Sequence, residues 1–142
     1  MSIRQYNTKL SYKPNTHVSI ATNGQFSITM DPLHHPEQGV QGMTPIESFI
    51  SSICGCELAV IAGYQKIKKM DIKDVKIDVK AERETNPTDG YYGLTSMEIN
   101  YYFDSTNTEQ ELENFIKFVH DACPLHATIS RAVPIKSVIH KI

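Results

Sequence analysis

The sequence predicts an α+β fold in which mainly antiparallel sheet packs around one long central helix. Three observations carry that prediction. Segments with apolar residues at every second position lie on both sides of an apolar, helix-like run, and a second helical pattern with a narrow apolar stripe follows near the C-terminus. The 142 residues, 40% of them hydrophobic, suffice for one substantial core, so the chain is expected to form a single domain over 1–142.

Strands are expected near 3–12 and across 17–30. Lys9, Leu10, Ser11 and Tyr12 alternate polar with apolar, and Val18 and Ile20, then Phe26, Ile28 and Met30, repeat with period two. Asn23-Gly24 marks a tight hairpin turn between them. From Asp31 to Met43 two prolines, two glycines and the pair His34-His35 describe a loop, in which the histidines read as solvent-exposed. The long helix opens at Thr44-Pro45-Ile46-Glu47, an N-cap candidate, a proline at the first helical position and a glutamate at the third, which is the pattern of a capping box. Phe49, Ile50, Ile53, Ala59, Val60, Tyr64 and Ile67 continue it, and it is expected to end near Lys68-Lys69.

Val75, Ile77, Val79 and Ala81 alternate with Lys76, Asp78, Lys80 and Glu82 as a half-buried strand. The turn signal Asn86-Pro87-Thr88-Asp89-Gly90 then leads to a partner strand near 91–103. Thr108 to His120 places Leu112, Phe115, Ile116 and Val119 at helical spacing behind Glu109 and Glu111, acids that suit a helix N-terminus. A short helix is expected over 124–131 and a last strand over 134–142. A helix as apolar as 44–69 needs cover from more than one small sheet, which predicts a homodimer that buries it between subunits.

Composition excludes several functions. Fourteen basic and sixteen acidic residues, spread along the chain, leave no basic field to collect nucleic acid or anionic lipid. The first residues lack a signal-peptide core, and no stretch reads as the roughly 18 apolar residues of a membrane span. A cytoplasmic protein is therefore expected, without nucleic-acid or membrane partners. Three cysteines, an odd number, suit a reducing compartment better than a disulfide framework.

The chemistry centres on Cys56 and Cys123. Pro124 directly after Cys123 makes that cysteine an N-cap facing a helix's positive end, an environment that lowers a thiol pKa. Cys56 lies within the apolar helix, whose packing would fix its sulfur. Cys54 and Cys56, two positions apart on a helix, point to different sides and cannot bridge, so Cys54 reads as core. A metal held by Cys54, Cys56 and one of His34, His35 or His126 has only a short CxC behind it, and neither metal nor cofactor is expected.

These same residues resemble the OsmC/Ohr family of thiol-dependent hydroperoxide reductases. The resemblance rests on Thr44-Pro45-Ile46-Glu47 followed by Gly55-Cys56, and on Cys123-Pro124-Leu125-His126-Ala127-Thr128-Ile129-Ser130-Arg131. It covers nearly the whole chain and implies an intertwined α+β homodimer. It further implies that Cys56, eleven residues after Pro45, is the peroxidatic thiolate and Cys123 the resolving thiol. A small hydroperoxide would be the substrate and an external dithiol the reductant. Arg131 resembles the arginine of the second motif. The organic hydroperoxide resistance branch carries a glutamate directly after the helix-opening proline and an arginine in the N-terminal strands. Here Ile46 stands at that position with Glu47 one residue later, and the only N-terminal arginine is Arg4, so the chain looks closer to a less characterised OsmC-like branch.

Each supporting residue has two readings. Glu47 reads first as the capping-box acid and second as a carboxylate near the thiol. Arg131 either lowers a cysteine pKa or caps the short third helix. His126 either exchanges protons with Cys123 or is an ordinary interface group. The alternative to a peroxidase is a non-enzymatic binding protein with an apolar ligand cleft at the dimer interface, its cysteines merely packing.

Overall fold

A computed structural model describes residues 2–33, 37 and 39–142. The expected loop histidines His34 and His35 lie outside the described residues. The chain divides into two compact units, residues 1–49 and 50–142.

The N-terminal unit is a three-stranded antiparallel sheet of β1 (Lys9–Tyr12), β2 (Ser19–Thr22) and β3 (Ser27–Met30) in that order. The strands are shorter than the alternation suggested. The Asn23-Gly24 turn forms as expected: Gly24 has φ +97°, and Asn23 Oδ1 accepts from the amides of Gln25 and Phe26 at 3.0 and 2.9 Å. Buried Asp31 ties the following segment down by accepting from the amides of Leu33 and Gln41. At Gly42 the chain runs so close to β3 that an added Cβ would sit 2.3 Å from the Thr29 carbonyl oxygen. The helix then opens on the expected capping box, with Thr44 Oγ1 accepting from the Glu47 amide at 3.1 Å and Glu47 Oε2 accepting from the Thr44 amide at 2.8 Å.

That helix, α1 (Pro45–Tyr64), runs on into the second unit. Its tail continues in turns to a Schellman closure, in which Met70 N–H donates to Gln65 O and Lys69 N–H to Lys66 O while Lys69 takes φ +56°. The expected stop near Lys69 is therefore where helical winding ends. By length and composition α1 is apolar enough to cross a membrane, contrary to the expectation that no segment would be. Here Ile50, Ile53, Cys54 and Ile61 join a protein core instead, with Glu57 buried among them. Burial also covers fewer sides than expected, since Ile46, Phe49 and Tyr64 are exposed.

The core sheet comprises β4 (Ile72–Arg83), β5 (Leu94–Ser105) and β6 (Ile135–Lys141), ordered β4-β5-β6. β4 and β5 form the expected antiparallel hairpin, but β6 pairs parallel to β5, with Met97 opposite Ile135 and Tyr101 opposite Ile139. Parallel neighbours need a long crossover. It is supplied by α2 (Glu109–Ala122) and α3 (Pro124–Ile129). Met97, Ile99, Tyr101 and Phe103 alternate along one face of β5 and meet Leu112, Phe115, Ile116 and Val119, the predicted stripe of α2. A second capping box, Thr108 with Glu111, starts α2. This crossover brings the end of α2 and the start of α3 to the place where α1 carries its cysteines.

Candidate functional site

Cys123 stands at the corner between two helices. Its amide donates to Val119 O at 2.9 Å as the C-cap of α2, and its sulfur accepts from the His126 amide at 3.4 Å as the N-cap of α3. The N-cap role is the one Pro124 predicted. Its electrostatic consequence is reversed, however. Cys123 is wholly buried, and burial, followed by the neighbouring Cys56 thiol, pushes its pKa up to about 12 against the opposing pull of the His126 amide. A helix of six residues offers too small a dipole to offset the loss of water around the sulfur.

The Cys56 thiol is thus close enough to Cys123 to be the second-largest influence on its titration. Cys56 is half-buried, and all three cysteines are free thiols. Cys54 belongs to the core, where burial first, then the charges of Glu57 and Cys123, push its thiol up to about 12. α1 thus presents one accessible sulfur to Cys123 and hides the other.

Beneath the thiols lies a polar cluster of which the sequence pointed only to His126. Glu57, the residue after Cys56, has a wholly buried side chain. A buried carboxylate must be paired. His126 Nδ1 donates to its Oε1 at 2.5 Å, and the Tyr101 hydroxyl donates to its Oε2 at 2.7 Å. His120 Nε2 lies 3.0 Å from the Tyr101 oxygen and 4.0 Å from Glu57 Oε1. The His120 and His126 rings stack at 3.8 Å, 6° from parallel. Burial, then the neighbouring His126, lowers the His120 pKa to about 4, so His120 is neutral at pH 7 and its Nε2–H donates to Tyr101. Tyr101 is pushed well above the ordinary tyrosine range by burial and then by the Glu57 charge, and keeps its proton for Glu57.

Glu57, His120 and His126 are a donor set a metal ion accepts, with ligand atoms within 4.8 Å of one another. An imidazole binds an ion in its ring plane, however, and two rings stacked face to face cannot both point at one ion. The hydrogen bonds already made satisfy Glu57, and the geometry is that of a proton-bearing network.

Glu47 serves the capping box of the N-terminal unit. Arg131 is exposed in the turn after α3, and the influences acting on the Cys123 thiol come from burial, Cys56 and the amides of His126 and Leu125. His126 is buried and engages Glu57 through its side chain, while its contact with Cys123 is made by its backbone.

Comparisons with known proteins agree with this fold. The chain belongs to the OsmC family: the family model described as OsmC-like protein matches residues 36–138. It is 35% identical over 109 residues to a hydroperoxide reductase of Mycoplasma genitalium, covering 77% of this chain and 76% of that protein. A hydroperoxide reductase of Mycoplasma pneumoniae is 34% identical over 116 residues, covering 82% and 81%. Among solved structures, an OsmC-like protein from Mycoplasma pneumoniae superposes with a TM-score of 0.90 at 29% identity over 98% of both chains. The organic hydroperoxide resistance protein OhrB of Bacillus subtilis gives 0.73 at 13% identity over 94% of this chain and 98% of that one, a likeness of fold alone.

Proposed function

We propose that the protein is a dithiol peroxidase that reduces small organic hydroperoxides, with Cys56 as the peroxidatic and Cys123 as the resolving cysteine. The observation that carries this is the proximity of the two thiols, one half-buried and approachable, the other wholly buried. Cysteines that merely pack have no need to meet, and the hydroperoxide reductase names of two relatives favour the same chemistry.

In the first step the Cys56 thiolate attacks the distal peroxide oxygen. The O–O bond breaks, an S–O bond forms, sulfur is oxidised by two electrons to the sulfenic acid, and the alkoxide leaves as the alcohol after taking a proton. In the second step the Cys123 sulfur attacks Cys56. An S–S bond forms, the S–O bond breaks, and the Cys123 proton departs with the hydroxyl as water. Cys123 has to give up its proton to attack, and that proton leaves with the hydroxyl as water. An external dithiol reduces the disulfide and is itself oxidised. Exposed Ile46 and Phe49 on α1 support the homodimer that would shelter an apolar substrate.

The test is stoichiometric consumption of cumene hydroperoxide by the reduced protein. Cys56→Ser abolishes it on this proposal; undiminished consumption by that variant rejects Cys56 as the reacting group.

A further inference from the structure

The two helices that carry the thiols are joined at one buried point. Glu57 is the neighbour of Cys56 on α1, and His126 is the third residue after Cys123, on α3. Their side chains meet at 2.5 Å, while the His126 amide donates to the Cys123 sulfur at 3.4 Å. One residue therefore grips α1 through its ring and the Cys123 sulfur through its backbone. The Glu57 carboxylate cannot swing away, because Tyr101 on the central strand β5 holds its other oxygen at 2.7 Å and its side chain is wholly buried. Breaking this grip would strand a buried charge.

Resting on the dithiol reading above, we propose that Glu57 and His126 are positioning residues, a buried polar latch between α1 and α3 that sets how closely the Cys123 sulfur approaches an oxidised Cys56. A disulfide demands narrow geometry, with Cα atoms about 4.4–6.8 Å apart and a dihedral near 90°. A displacement of α3 by about 1 Å is enough to slow closure by one to two orders of magnitude. The latch governs both the rate at which the Cys56 sulfenate is resolved and the potential of the resulting disulfide.

The experiment uses the full chain carrying Cys54→Ser, so that Cys56 and Cys123 are the only thiols, equilibrated in glutathione redox buffers and analysed by mass spectrometry. Two variants are compared, with folding checked by circular dichroism. Glu57→Gln keeps an acceptor for His126, whereas Glu57→Leu combined with His126→Leu replaces the pair by apolar groups of similar bulk that fold without it. The disulfide equilibrium constant stays within about twofold of the parent in Glu57→Gln and falls about tenfold in the double variant, a rise of about 30 mV in potential. After one equivalent of cumene hydroperoxide, dimedone-trappable sulfenate at Cys56 persists about tenfold longer in the double variant only. A folded double variant with the parent's equilibrium constant overturns the latch, as does one zinc ion per chain retained by the unmodified protein and lost in Glu57→Gln. A parent that forms neither sulfenate nor disulfide after peroxide rejects the peroxidase reading instead. The redox-buffer equilibrium, which uses no peroxide, still decides on the latch.

Discussion

Removing the Tyr101 hydroxyl tests whether the network beneath the thiols is held as the structure places it. Tyr101→Phe leaves the ring, which stacks 6.3 Å from Phe103, in place. It deletes the donor to Glu57 Oε2 and the acceptor for His120 Nε2. Hydrogen bonds to charged groups contribute about 1.5–3 kcal/mol, and the orphaned oxygen is wholly buried, so water cannot replace the donor. His120, 4.0 Å from Glu57, can move in and recover part of the loss. The expected cost is about 2 kcal/mol. With an unfolding entropy of about 2.1 cal/mol/K per residue over 142 residues, that lowers Tm by about 7 °C. The assay is thermal and urea unfolding beside Tyr64→Phe, a control whose ring packs on Phe118 at the surface. A Tyr101→Phe protein melting within about 1 °C of the parent would refute the assignment of Tyr101 as an obligate partner of Glu57.

Three further outcomes are expected. His120 has its pKa lowered from 6.5 to about 4, chiefly by burial, so the unfolded chain takes up this proton first and stability falls as pH drops from 6.5 to 4. That loss approaches about 3 kcal/mol, and urea titrations of His120→Gln should flatten the slope; an unchanged slope rejects the assignment. Iodoacetamide at pH 7.5 should label Cys56 well before Cys54 and Cys123, whose thiols are held near 12 and shielded from solvent, with equal labelling of all three contradicting the burial order. Thr44→Ala, which breaks the capping box with Glu47, should cost about 1 kcal/mol in urea unfolding, and no measurable loss would leave Glu47 without its structural role.

Where local rules act alone, the sequence and the structure agree. Both capping boxes, the Asn23-Gly24 turn, the alternation of β4 and the stripe of α2 each depend on residues a few positions apart, and each forms as its pattern requires. The parallel pairing of β6 depends on a crossover that no local pattern encodes. The site divides the same way. Pro124 places Cys123 at a helix N-cap, but only the packed structure reveals that the sulfur has lost its water, which reverses the direction of its pKa. Glu57 did carry a signal. A lone carboxylate inside the run from Cys54 to Val60 has to find a partner once that helix is buried. Its partners are 44 and 69 residues away, beyond any spacing rule, so the network stayed hidden until the fold brought it together.

The central claim is that Cys56 and Cys123 form one redox unit, and peptide mapping of the reduced protein after one equivalent of cumene hydroperoxide tests it most directly. The account predicts an intramolecular disulfide linking the Cys56 and Cys123 peptides, with Cys54 remaining a free thiol. Recovery of all three cysteines unoxidised, or a disulfide that includes Cys54, would contradict it.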